Sequence, residues 1–318
     1  MLGRVKRILN KNWTKVSDYW YAIKRDNKLK HIRNSPLKEI IILTVPNTLY
    51  IADLLQNSLT QKNIKSKIIT KKPNSGYTDN LHIVIAAHSF KTLPSHYIAY
   101  QLEQYNSGVF KKPKRVRKLK NALLIIDYSL KNIQYLTNIG FNPEQIYHLP
   151  IAQLPLKTSV QIRNTNYDIA FYGDVKNERR QNYLNALNMH FNLHIITNAF
   201  ASGAIQQLRQ AKIVLNIHYY ENALLETTRL FECISNGFLV ISEQAVDMEE
   251  HKQLQGIVDF VETGNIEHMI QRINYWLTHE AERQLQLNKI KMFANQTSTT
   301  FEQQFAKVLD YIQPASLN

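Results

Sequence analysis

The chain has 318 residues, 44% of them hydrophobic, enough for two compact domains of ordinary size, each with its own apolar core. A lone cysteine, Cys233, excludes a disulfide scaffold and reads as core packing. No run of about 18 apolar residues and no signal-peptide pattern occurs, so the expected place is the cytoplasm. The net charge of +14 sits in two patches: residues 1–33 hold ten Lys or Arg against Asp18 and Asp26, and residues 111–120 hold seven with no acid. The rest is near neutral, and such patches suit polyanions: anionic lipid, nucleic acid or acidic glycan.

The first 25 residues place Leu2, Val5, Ile8, Leu9, Trp13, Val16, Trp20 and Ile23 at spacings of three and four, which predicts a basic amphipathic helix. Such a helix suits either the plane of an anionic membrane or docking on the neighbouring domain. From Lys38 onward, short β-branched runs alternate with helical stretches. Strands are predicted at Glu39 to Val45, Lys65 to Thr70, His82 to Ala87, His96 to Gln101, Ala122 to Ile126 and Gln145 to His148, with helices near 48–62 and 129–139. The segment from Pro150 to Pro155 suits a connection between domains. A second series follows, with strands at Tyr167 to Tyr172, Leu193 to Thr197, Ile213 to Ile217, Phe238 to Ser242 and Val258 to Val261. The polar, helix-prone tail from Asn265 to Ile312 is expected to close the second domain, its last turns crossing back to the first. The alternation implies βαβ units and mainly parallel sheets. The predicted fold is α/β, with two Rossmann-like domains facing a central cleft: an arm over 1–36, a first domain over 37–152 and a second over 153–318.

The stretch from Ile213 to Glu243 carries the most chemistry. After the strand come a polar loop with His218 and Glu221, and then a helix predicted to start near Leu224 and to carry Glu226, Arg229 and Glu232 before Gly237. Ligands of open α/β sheets bind beyond the carboxyl ends of the strands. There a carboxylate can accept sugar hydroxyls, while an arginine and a helix N-terminus hold phosphate. An ordinary ion pair on a solvated helix face is the alternative. Upstream, the strand Tyr167 to Tyr172 ends on Gly173-Asp174 and leads into Lys176, Arg179 and Arg180, a plausible diphosphate cradle. Asn198, just past the next strand, joins these candidates. The GxGxxG and P-loop patterns are absent, against dehydrogenase or NTPase readings.

Asn216-Ile-His through Arg229-Leu-Phe-Glu232, then Asn236-Gly237 and Val240-Ile-Ser-Glu243, resembles the nucleotide-sugar motif of bacterial GT-B glycosyltransferases. The resemblance implies the two-domain GT-B fold, a nucleotide-sugar donor and a glycan or glycolipid acceptor of the cell envelope. It also implies that Glu232 binds the ribose and that Arg229 and Glu226 line the donor site. Retaining members show two Glu eight apart; here position 224 is Leu and Glu226 is six residues before Glu232, which leaves the stereochemical outcome open. On the acceptor side, Glu103, Asp127 and His88 are the candidates for a general base. No metal site and no cofactor are expected, because the DxD pair, HExxH and Cys clusters are missing, and Asp247-Met-Glu249 is the nearest approach. The basic run 111–120 lacks interleaved aromatics, so a membrane or acceptor role is favoured over nucleic acid. The expected place is peripheral, at the inner face of the cell membrane. The rival reading is a noncatalytic polyanion-binding protein on a Rossmann-like scaffold.

Overall fold

The computed structural model describes residues 19–34, 38–156 and 165–314. The predicted amphipathic stripe falls mostly before residue 19 and so lies outside them. Helix α1, over 19–33, docks on the first domain through buried Leu29 and Ile32, with His31 stacked on His96.

Six parallel strands make the first sheet: β1 (Ile40–Leu43), β2 (Ser66–Ile69), β3 (His82–Ile85), β4 (Tyr97–Gln101), β5 (Leu124–Asp127) and β6 (Ile146–His148), in the order β2-β1-β3-β4-β5-β6. The runs in β1, β3 and β5 are buried throughout, as strands covered on both faces require. Helices α2 (Leu49–Gln61), α3 (Pro113–Lys120) and α4 (Leu130–Asn138) connect them. Thus the basic run, read in sequence only as a charge cluster, forms a short helix with Pro113 at its start and Leu119 buried.

The second sheet has five parallel strands, β7 (Tyr167–Tyr172), β8 (Leu193–Ile196), β9 (Ala211–Asn216), β10 (Leu239–Glu243) and β11 (Asp259–Val261), in the order β11-β10-β9-β7-β8. Its helices are α5 (Glu178–Asn188), α6 (Ala201–Leu208), α7 (Thr227–Ser235), α8 (Ile266–Thr278), α9 (Glu280–Ala294) and α10 (Thr299–Ile312). Asn177, Asn265 and Ser298 cap α5, α8 and α10 with side-chain oxygens.

The two halves do not have separate cores. One apolar cluster runs from Leu29 through Leu55 and Phe231 to Ile312, and a smaller one fills the other face of the first sheet. Continuity arises because α2 packs on α7 and because α10 returns to the first half. Glu302 of α10 accepts from Ser58 Oγ at 2.6 Å and pairs with Lys62 at 2.5 Å, and Arg33 donates to the Tyr311 carbonyl at 2.6 Å. At the crossing, Tyr50 Oη bonds the Ala152 carbonyl at 2.7 Å and lies 2.9 Å from Ser235 Oγ, which also accepts from Leu154 N–H.

Candidate active site

Strand order reverses between β1 and β3 in the first sheet and between β7 and β9 in the second. A crevice opens at such a switch point beyond the strand ends. Both crevices contribute to one cleft of about 940 Å³, with Asn47, Ala86 and His88 on one side and Gly173, Arg229 and Glu232 on the other.

On the second-domain side, β7 ends at Tyr172 and Gly173 turns with φ +141°. A Cβ at Gly173 would stand 3.1 Å from Arg229 Nη2, so glycine leaves room for that guanidinium at the strand end, whereas Arg180 Nη1 at 3.6 Å would stay at ordinary contact distance. Arg180 is buried; its Nε and Nη1 donate to the Ile217 and Asp174 carbonyls at 3.0 Å, and it lies over the rings of Phe171 and Tyr219. Arg229 Nη1 donates to Asn216 Oδ1 at 2.6 Å, and Asn216 Nδ2 donates to Glu226 Oε2 at 3.1 Å. Helix α7 begins at Thr227, three residues later than the sequence pattern implied, and Glu226 is its N-cap residue. The helix start therefore opens on the cleft with Thr227, Thr228 and Arg229. The Thr227 Oγ1 is buried with no hydrogen-bond partner among the described residues.

Burial works against ionisation of Glu226, but the charge and hydrogen bond of His218, with Arg229 and Arg180, hold its carboxyl down at about 2. Burial, reinforced by the neighbouring Arg229 charge, lowers the Arg180 guanidinium to about 10 against the pull of Glu226. Glu232 behaves differently: burial pushes it up to about 6, although the Tyr172 hydroxyl donates to it at 3.0 Å and Arg229 lies nearby. A fixed anion at Glu226 thus balances two arginines, while Glu232 is an acceptor that titrates close to neutrality.

Of the donor-side residues anticipated from sequence, Gly173, Lys176, Arg180, Asn198, Glu226, Arg229 and Glu232 line the cleft. Two do not. Arg179 turns away from it to form a two-pronged ion pair with buried Glu243, which also accepts from Tyr183 Oη at 2.7 Å. An unpaired Glu243 carboxylate in the interior would be costly, and Arg179 is the cation that compensates it. His218 is also buried; its Nδ1 is 2.5 Å from Glu226 Oε2 and its Nε2 lies 2.9 Å from the Gln244 carbonyl, so it holds Glu226 from behind. Asp247 of the Asp247-Met-Glu249 stretch is buried as well, accepting from Leu225 N–H at 2.9 Å and from His251.

On the first-domain side, His88 Nε2 lies 3.1 Å from Glu103 Oε1, and both residues line the cleft. Burial opposes ionisation of Glu103, but the hydrogen bond and charge of His88, with Ser107 and Arg115, bring its carboxyl below the usual value. Asp127 does not face the cleft. It is fully buried and accepts from Ser129 N–H, Asn132 Nδ2 and Gln101 Nε2 at 3.0–3.1 Å, and burial raises it to about 8 against these three donors. The same Gln101 and Asn132 amides donate to the Glu103 carbonyl at 2.6 and 2.9 Å. Asp127 thus fixes the main chain that presents Glu103.

Cleft residues the sequence reading passed over include Thr227 and Thr228, Tyr172, Gln104, and the edge-to-face pair Tyr219 and Tyr220. The Thr-Thr step was the available signal, since such residues mark helix starts. Among the described residues no group of three His, Cys, Asp or Glu could hold a metal ion, and no helix is long and apolar enough to cross a membrane.

Residues 158–309 match the family model described as "Glycosyl transferase-like". No curated protein matches the chain. Among solved structures, Anabaena Alr3699/HepE in complex with UDP and glucose is similar over 86% of this chain and 99% of its own, with 12% identity and a TM-score of 0.55. WaaG, a glycosyltransferase involved in lipopolysaccharide biosynthesis, is similar over 87% of this chain and 100% of its own, with 11% identity and a TM-score of 0.57. An alpha-glucosyltransferase in complex with UDP-glucose and DNA containing an abasic site covers 86% and 99%, with 9% identity and a TM-score of 0.56. The part of the chain that carries the arginine and glutamate cluster thus matches a glycosyl transferase-like family model, and the chain as a whole has the two-sheet GT-B fold of these solved glycosyltransferases.

Proposed function

We propose that the enzyme transfers a sugar from a nucleoside diphosphosugar to a cell-envelope glycan or glycolipid, without a metal ion, at an anionic membrane surface on the cytoplasmic side. The observation that carries the donor half is the open start of α7 beside Arg180 and Arg229, with Gly173 leaving room for the Arg229 guanidinium. A helix N-terminus, two guanidinium groups and Lys176 supply the positive charge that a departing diphosphate needs, which makes a divalent cation dispensable. The ribose hydroxyls go to Glu232, whose carboxylate accepts two bonds at once. On the opposite wall the Glu103–His88 pair takes the proton of the acceptor hydroxyl as that oxygen bonds to the anomeric carbon.

The acceptor half rests on the outer surface of the first domain. Lys111, Lys112, Lys114 and Arg117 on and before α3 are exposed and form no ion pair among the described residues. Helix α1 comes close to α3: Tyr21 acts on Tyr97, whose hydroxyl donates to the Lys118 carbonyl. Tyr19 and Trp20 at the start of α1 are 66% and 58% exposed, so aromatic and cationic side chains share one region, the combination that favours an interfacial membrane site. Lys118 in turn donates to the carbonyls of His88 and Phe90, which joins this region to the mouth of the cleft.

The test is transfer of label from a panel of UDP-, GDP- and ADP-sugars to lipid and glycan extracts, with and without chelator. The expected result is nucleotide-selective transfer that survives chelation; transfer abolished by chelator would remove the metal-independent step, and no transfer from any donor would remove the reading.

A further inference from the structure

Gln104 stands where the two walls of the cleft meet. Its amide nitrogen donates to the Leu224 carbonyl at 3.0 Å, and its amide oxygen accepts from the Leu224 N–H at 2.9 Å. One side chain therefore satisfies both backbone groups of a residue in the other domain, as a neighbouring strand would. Asn106 adds longer contacts of 3.4 Å to the carbonyls of Glu221 and Asn222.

What stands on either side of this clasp makes it more than a domain contact. The residue before it is Glu103, held by Gln101 and Asn132 and paired with His88. Two residues beyond Leu224 is Glu226, the N-cap of α7 and the partner of Asn216 and His218, and Leu225 between them is fixed by Asp247. Each short segment is thus anchored in its own domain, and the Gln104 amide joins the two.

We infer that Gln104 is a positioning residue that sets the acceptor-activating pair in register with the donor site and keeps the activated sugar from water. The inference rests on the glycosyl-transfer reading. In transfer, the bond from the anomeric carbon to the terminal phosphate oxygen breaks and its electron pair leaves with the nucleoside diphosphate. The acceptor oxygen forms the new bond and its proton passes to the Glu103–His88 pair. Water satisfies the same balance and yields free sugar. Partition between the two outcomes depends on how tightly the acceptor hydroxyl is held against the anomeric carbon, because small misplacements of reacting groups reduce rates steeply.

The variants are Gln104→Ala and Gln104→Glu. The second keeps the size and the acceptor for the Leu224 N–H but opposes the Leu224 carbonyl with another acceptor, so it reports on the clasp if the alanine variant folds poorly. Three quantities are measured: nucleotide Kd, transfer kcat, and the fraction of consumed donor that appears as free sugar. Both variants are expected to keep Kd within about twofold, to lose about tenfold in kcat, and to raise the hydrolysed fraction severalfold, as loss of a pair of transition-state-positioning hydrogen bonds implies. Unchanged kcat and hydrolysed fraction would overturn the inference. So would a Kd that weakens by the same factor as kcat/KM, since that would make Gln104 a support of the donor loop alone. If the wild-type protein binds no nucleotide and transfers no sugar, the glycosyl-transfer reading fails first and the inference with it.

Discussion

Glu232→Gln separates the structural cost of this cleft carboxylate from its proposed use in holding the ribose. Burial, with Asp53 in the same direction, raises the Glu232 carboxyl to about 6, above the value near 4.5 of an unperturbed glutamate. A carboxyl raised in the folded state costs stability that grows as pH climbs from the unfolded value through the folded one, and the full penalty is present above about pH 7. The shift corresponds to about 2 kcal/mol at most, and residual solvent contact of this side chain reduces the expected figure to about 1 kcal/mol. The glutamine variant, still able to accept from Tyr172, should melt about 1–2 °C higher at pH 7.5 without ligand, and the gain should shrink by more than half at pH 5. Nucleotide affinity should move the other way. An amide offers one oxygen where the carboxylate offers two, and losing a charge-assisted pair to the ribose predicts a fall of about tenfold or more. The measurements are melting scans at the two pH values and calorimetric titration with nucleotide at pH 7.5. A variant that binds nucleotide as well as the wild type, or melts lower at pH 7.5, would refute the reasoning.

Gly173→Ala should weaken nucleotide binding at least tenfold and destabilise by about 1–3 kcal/mol, because an L residue is strained at φ +141° and its Cβ would crowd Arg229 Nη2 at 3.1 Å; calorimetry with denaturant unfolding reads both. Asp127→Asn faces one of three N–H donors with a fourth, so a loss of about 1–3 kcal/mol is expected, with nucleotide affinity unchanged and transfer slowed through Glu103. A variant with wild-type transfer rates would detach Asp127 from the acceptor side. Replacing Lys111, Lys112, Lys114 and Arg117 by Gln should lower partitioning onto anionic vesicles at least tenfold at about 1 kcal/mol per cation, leaving nucleotide binding intact. Unchanged sedimentation would move the membrane contact elsewhere.

The strand pattern was legible because parallel strands covered on both faces read as short continuous apolar runs rich in β-branched residues, as in Ile40–Leu43 and in the Leu-Ile-Ile that precedes Asp127. The boundary of α7 was not, since Leu224, Leu225 and Glu226 have helix-forming side chains, and contacts of Leu224 with Gln104, of Leu225 with Asp247 and of Glu226 with Asn216 and His218 keep that segment out of the helix. Arg179 and Arg180 are adjacent in sequence and opposite in role. The deciding fact is the buried Glu243, 64 residues away, which captures Arg179 and leaves Arg180 to the cleft. The same limit applies to His218 and Asp127: each is a plausible acid or base by residue type, and each is enclosed by groups from distant segments. Gln104 carries no sequence signal, because a glutamine acquires meaning only from the backbone it meets.

The most direct test of the central claim is calorimetric titration of the wild-type protein and Arg229→Ala with UDP, GDP, ADP and CMP. The account predicts selective binding of one nucleoside diphosphate by the wild type and its loss in a variant whose melting temperature is preserved. Binding of none of the four, or equal binding by Arg229→Ala, would contradict it.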